Sequence, residues 1–226
     1  MRRAFLALLV VACTRGKPAV PILGYHSIGA LSDEYTVPQG AFEQQLDWLR
    51  TDGFETLSIH DLLAGGGRPR RGVILTFDDG KEDAVRVVLP ALRRRAMRGT
   101  FFVITRFVGQ PGYLDWNGVR ALAAAGMEIG SHTADHARLS ELPDDRVREE
   151  LVESKRVLER ELHQPIEVLA YPYNSLRART AHLVEEAGYR AALAGVVHGS
   201  DQRFSLYRFS VTGATTLDEF RAAATR

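Results

Sequence analysis

Short apolar runs rich in β-branched and aromatic residues alternate along this chain with longer stretches whose apolar positions recur every three or four residues. The first pattern predicts buried strands and the second predicts amphipathic helices. Strands are expected at 20–25, 73–77, 100–104, 127–130, 166–171, 189–193 and 205–211. Helices are expected from about Phe42 to Gly53, and at 82–98, 116–125, 143–162, 177–187 and 218–224. Pro90 should kink or break the second of these. Gly126 and Gly188 each stand where a helix C-terminus needs a left-handed residue.

Strict alternation of strands and helices implies a mostly parallel sheet. Polar residues decide how that sheet closes. His26, Asp78, Asp79, His132 and Tyr173 each follow directly on a predicted strand. In a (β/α) barrel the C-terminal strand ends all meet at one rim, whereas an open sheet gathers only those near its switch point. The expected fold is therefore α/β, a distorted (β/α) barrel related to the TIM barrel, with about seven parallel strands.

The 226 residues suit one domain, and 45% hydrophobic with 25% charged residues is ordinary globular composition. The charge is balanced, 29 basic against 28 acidic residues, which gives no basic excess for nucleic acid. The N-terminus reads differently. Arg2 and Arg3 precede an apolar run of nine residues, Ala4 to Ala12. That is too short for a membrane helix, which takes about 20 residues, but it fits an export signal. The small residues before Cys13, the one cysteine, resemble a bacterial lipobox, so Cys13 is the expected lipidation site. Residues 1–13 are thus read as a signal peptide with a lipobox-like end, 14–19 as a linker and 20–226 as the folded domain. The expected product is an exported periplasmic or cell-envelope lipoprotein, monomeric and held to the membrane only by its lipid.

Two sequence clusters carry chemistry. Thr76-Phe77-Asp78-Asp79-Gly80 places adjacent acids after an apolar strand, where they need solvent, a partner or a cation; as a helix cap the same pair would be purely structural. His132 and His136 stand four apart, a spacing that lets two imidazoles share one face of a helical turn. Two histidines and a carboxylate suit a catalytic zinc or another divalent transition metal.

The stretches TFDDG at 76–80, SHTADHARLS at 131–140 and AYPYN at 170–174 resemble, in order and spacing, the polysaccharide deacetylases of carbohydrate esterase family 4, the NodB-homology domain. The resemblance implies that Asp79, His132 and His136 are the metal ligands and that Asp78 is the general base. It implies that the Tyr173 main chain, beside Pro172, faces the oxyanion. Leu23-Gly24-Tyr25-His26-Ser27-Ile28 is similar to the subgroup acting on poly-N-acetylglucosamine, in which a histidine of the first strand is the general acid. That makes His26 the expected acid, in preference to His198, whose surroundings match the family's late histidine motif poorly.

The chain departs from the family at 170–173, Ala-Tyr-Pro-Tyr, where many members carry an arginine that pairs with the base. Arg208 is the candidate replacement, with a surface position as its bland alternative. Asp115-Trp116 either lines the substrate groove, as in some members, or is a helix cap beside a core aromatic. The resemblance implies a metal-dependent N-deacetylase of β-linked N-acetylglucosamine polysaccharide, poly-N-acetylglucosamine first, peptidoglycan or chitin oligomers next. A carbohydrate-binding relic without catalysis is the non-enzymatic alternative.

Overall fold

The structure, a computed structural model, describes residues 20–30, 33–65, 69–195 and 202–226. The signal and lipidation readings at 1–13, the linker and His198 lie outside the described residues. The elements are, in chain order, β1 (Ile22–Tyr25), β2 (Ser27–Gly29), β3 (Thr36–Pro38), α1 (Gln39–Thr51), β4 (Glu55–Leu57), α2 (Ile59–Ala64), β5 (Gly72–Phe77), α3 (Leu89–Arg93) and β6 (Thr100–Val103). They continue as α4 (Trp116–Ala124), β7 (Glu128–Ser131), α5 (Asp144–Leu162), β8 (Val168–Ala170), α6 (Ala178–Glu186), β9 (Ala191–Ala194), β10 (Leu206–Tyr207), β11 (Phe209–Ser210) and α7 (Leu217–Ala224).

β1, β5, β6, β7, β8 and β9 lie side by side, all parallel. The last expected strand is what closes the ring. Its first half, β10, pairs with β9, and its second half, β11, pairs with β1. Arg208 is the residue between them, so the barrel seam runs through this one side chain. The expected barrel is confirmed, with the eight-strand path reducing to about seven when β10 and β11 are taken as one segment. β4 adds to the start of β5 on the edge that β6 takes further along.

The unbroken apolar runs follow from burial on both faces. Ile22, Ile74, Phe102, Val168, Ala170, Ala191 and Leu193 form one cluster inside the barrel. The intervening residues, Leu23, Leu75, Phe101, Ile129, Leu169 and Ala192, join the larger cluster under the helices. The period of two along each strand is thus kept throughout.

Two helical details differ from expectation. The segment 82–98 holds a single π turn, Ala84–Val88, before the short α3. Pro90 has no N–H to continue the α pattern, and the Leu89 N–H donates instead to the carbonyl of Ala84. The short elements β2, β3, β4 and α2 carry no strong periodicity. α2 is fixed by its ends, with Ser58 and Asp61 forming a reciprocal capping box.

Candidate active site

The barrel-interior positions of each strand continue past its C-terminal end. Ile74 and Thr76 lead to Asp78, Ile22 and Gly24 lead to His26, Gly130 leads to His132, and Leu206 leads to Arg208. Alternation alone therefore brings four polar side chains to one mouth of the barrel. Asp78 and His132 are each only 2% exposed. Charged and polar groups at that depth need partners.

Asp78 has one. Arg208 forms a two-armed ion pair with it, Nη1 donating to Oδ1 at 2.6 Å and Nη2 to Oδ2. Arg208 is itself buried. Room for it comes from Gly24, where a Cβ would stand 3.2 Å from the Arg208 Cδ. The surface alternative for Arg208 is thereby excluded, and the guanidinium missing at 170–173 is replaced from the barrel seam. Burial works to raise the Asp78 carboxyl, but Arg208, with His132 and His26 beyond it, holds it well below the usual carboxylate range. Asp78 is ionised at every ordinary pH. Its Oδ2 lies 3.8 Å from Nε2 of both His26 and His132.

Asp79 leaves the alternation. Its φ of 68° is left-handed, a region that Asp tolerates better than most residues. This turn carries its side chain away from Asp78 towards the histidines. Asp79 Oδ1 is 3.5 Å from Nε2 of His132 and 3.5 Å from Nε2 of His136. That oxygen is buried and has no hydrogen-bond partner. On its other side, Lys81 Nζ lies 3.8 Å from Oδ2 and donates to the Tyr113 hydroxyl at 2.9 Å.

The histidine pair does not occupy a helical turn as its spacing suggested. Residues 132–136 form a loop after β7, with Thr133 at φ 66° and His136 at φ 61°. The two rings nevertheless face each other, 4.8 Å between centroids. His132 Nδ1–H donates to the Ala170 carbonyl at 2.8 Å, which leaves Nε2 as a bare lone pair. His136 Nδ1 pairs with the Tyr173 hydroxyl at 3.2 Å. Burial lowers both imidazoles, His136 to about 4 with His132 adding to the effect, so both are neutral at pH 7.

The three groups fit a divalent cation. Their ligand atoms all lie within 4.8 Å of one another. Donors at about 2.1 Å from a tetrahedral zinc stand about 3.4 Å apart, which matches the two 3.5 Å separations. The orphaned Asp79 oxygen and two neutral Nε2 atoms are the donor set such an ion requires.

His26 borders this group, its side chain 27% exposed and its ring 4.9 Å from that of Tyr35. Tyr173 stands on the opposite side, 54% exposed, with its ring 4.6 Å from His136 and the Arg138 guanidinium 4.0 Å above it. Its backbone is left-handed, φ 56°, and Pro172 is buried beneath it. Asp115 caps α4 by accepting from the Gly118 N–H, and Trp116 packs on the core.

Comparison with known proteins agrees with this fold. A putative polysaccharide deacetylase of Bacillus subtilis, YxkH, is 29% identical over 214 residues, covering 91% of this chain and 76% of the relative. The poly-beta-1,6-N-acetyl-D-glucosamine N-deacetylase of Staphylococcus aureus is 24% identical over 173 residues, 69% of this chain, which spans 60% of that protein's length. Among solved structures, the Streptococcus pyogenes deacetylase PplD in complex with acetate superposes with a TM-score of 0.83 at 25% identity, covering 91% of this chain and 97% of that one. The polysaccharide deacetylase profile matches residues 65–192, a span that contains both acids, both histidines and Tyr173 but neither His26 nor Arg208. With more than half of its length matched by the family profile, and with the fold in agreement, the chain belongs to the polysaccharide deacetylase family.

Proposed function

We propose that this protein removes N-acetyl groups from a β-linked N-acetylglucosamine polysaccharide outside the cytoplasm, in a metal-dependent hydrolysis, with poly-N-acetylglucosamine as its polymer. The observation that carries the metal reading is the buried, partnerless Asp79 oxygen facing two neutral imidazole nitrogens. Asp79, His132 and His136 hold the cation, with zinc the first candidate for this donor set. When bound, it supplies Lewis-acid polarisation of the acetyl carbonyl and acidifies a water.

Asp78 accepts the proton of the attacking water. Arg208 fixes both of its oxygens, so the acceptor is oriented but weak, and proton transfer relies on the acidity of the donor. His26 stands 3.8 Å from the same carboxylate and is solvent-accessible, a position suited to protonating the leaving amine. The Tyr173 peptide N–H is the second oxyanion donor, as the family resemblance implies. The choice of polymer rests on the first-strand histidine and on the staphylococcal relative. Export and lipidation at Cys13 rest on the sequence of residues 1–13 alone. Among the described residues no helix is long and apolar enough to cross a membrane.

Acetate release from N-acetylglucosamine oligomers, poly-N-acetylglucosamine and peptidoglycan, with and without chelator, tests this reading beside Asp78→Asn. Chelator-sensitive release that is greatest on poly-N-acetylglucosamine is expected. Release confined to peptidoglycan reassigns the polymer, and glycan binding without any release makes the protein a non-catalytic relic.

A further inference from the structure

The buried stripe of α5 is expected to be apolar, and Val147, Leu151 and Leu158 are. Two polar residues interrupt it, Glu150 at 2% exposure and Ser154 at 0%. Glu150 reaches the loop between the two metal-site histidines, and Ser154 reaches Ser131, at the end of β7 just before it. Four consecutive peptide N–H groups of that loop are taken by side-chain oxygens. Thr133 donates to Ser131 Oγ at 3.1 Å, and Ser131 Oγ in turn donates to Ser154 Oγ at 2.9 Å. Ala134 and Asp135 both donate to Glu150 Oε2, at 3.0 and 2.9 Å. His136 donates to Thr133 Oγ1 at 3.1 Å.

Such a row of amides forms a nest that attracts an anionic or carbonyl-like oxygen. Here the protein supplies that oxygen itself. The need is clear from the backbone. Thr133, β-branched, sits at φ 66° and His136 at φ 61°. Such conformations cost about 1–3 kcal/mol each and persist only when the surroundings over-determine them. Arg106 braces the same loop from outside, through its N–H to the Ala134 carbonyl and its guanidinium to Asp135.

We propose that Glu150 is a positioning residue for the metal centre: by gathering the Ala134 and Asp135 amides on one oxygen, it holds the loop in the shape that aims His132 and His136 at the same point. The inference rests on the metal reading above. Both amides are met by the lone pairs of the single oxygen Oε2. Glutamine, which keeps that oxygen, should therefore substitute for it.

Zinc and cobalt binding to the metal-stripped full chain, measured by calorimetry and by the cobalt absorption spectrum, tests this with Glu150→Gln and Glu150→Met. Partners that orient a metal's ligands typically change its affinity about 10–100-fold when lost, so Glu150→Met should weaken binding by that factor and alter the cobalt spectrum, while Glu150→Gln stays within about threefold of wild type. Wild-type affinity in Glu150→Met, even with a lowered melting temperature, reduces Glu150 to a structural residue and overturns the proposal. So does a Glu150→Gln variant as weak as Glu150→Met. If Glu150→Met does not fold, Glu150→Asp, which retracts the oxygen by one methylene, must weaken binding in its place; unchanged affinity overturns the proposal equally. A wild-type chain that binds neither metal removes the metal reading and this inference with it, whereas wild-type binding with indifferent Glu150 variants removes the inference alone.

Discussion

The two poles of the barrel treat a partly buried carboxylate in opposite ways. At the N-terminal pole, Glu128 opens β7 and is saturated: it accepts from the Ile59 and His60 N–H groups at 2.8 and 2.9 Å and from the Thr100 hydroxyl at 2.6 Å. It caps α2 and ties it to the barrel. At the C-terminal pole, Asp79 has a buried oxygen with no partner, and Asp78 is tied to a cation brought from the last strand. The backbone divides in the same way. Of the seven described non-glycine residues with positive φ, five lie at the catalytic pole: Asp79, Thr133, His136, Tyr173 and Asn174. Backbone strain gathers where something else is meant to bind, and the partnerless Asp79 oxygen lies there with it.

Substitutions can break this contrast. The largest effect is expected at Asp79. Asp79→Ala should empty the site of metal, seen by elemental analysis, and lower acetate release by at least about a thousandfold. Asp78→Asn should keep the metal and still lose about 10²–10⁴ in rate, as removal of a general base does. An Asp78→Asn variant that loses its metal instead would merge the two roles that the geometry separates.

Arg208→Met comes next. It strands a buried charge, at a cost of about 3–5 kcal/mol in urea unfolding at pH 7. The pH dependence should also change sign. In the native protein the lowered Asp78 carboxyl contributes stability that is present above its unfolded value of about 3.9 and is lost as pH falls below it. Without Arg208, burial opposes ionisation, so the variant should lose stability as pH rises through the acid range.

Tyr173→Phe removes the hydroxyl that pairs with His136, and metal affinity should fall by about tenfold or less. The smallest effect belongs to the other pole. Burial raises the Glu128 carboxyl, so stability from this group is full below its unfolded value of about 4.3 and declines as pH rises through the native value. Glu128→Gln should flatten that decline with no change in metal content or rate. A loss of activity in Glu128→Gln would show that the poles are not independent.

Much of the catalytic pole was legible in the chain because it obeys the rule of the strands. His26, Asp78, His132 and Arg208 stand two residues beyond inward-facing positions, so strand periodicity carries them to one mouth without any special turn. Asp79 and His136 do not follow it. Their left-handed backbones have no glycine to announce them, and the i, i+4 spacing of the histidines suggested a helix that the loop does not form. Arg208 was readable as a candidate partner of Asp78, but the choice between that and a surface position depends on how the ring closes, which the chain alone does not show. Glu150 left a faint trace, an acid on a helical stripe otherwise interrupted only by Ser154. β4 and α2 gave little, being three and six residues long.

The seam at Arg208 ties chemistry to the order in which the chain assembles. The ion pair joins residues 130 apart in sequence, and loop closure over such a length is among the costlier steps in making the fold. The residues that would hold the metal all lie between Asp79 and His136, whereas Asp78 acquires its counter-ion only when the last strand docks beside the first. During synthesis from the ribosome, a chain stopped short of Arg208 would already contain the ligands, yet its Asp78 would lack the guanidinium that fixes both of its oxygens. The pairing thus arrives last, with the closing of the seam, and a nick or slippage at β10 and β11 would leave Asp78 without its guanidinium while its neighbours stayed in place.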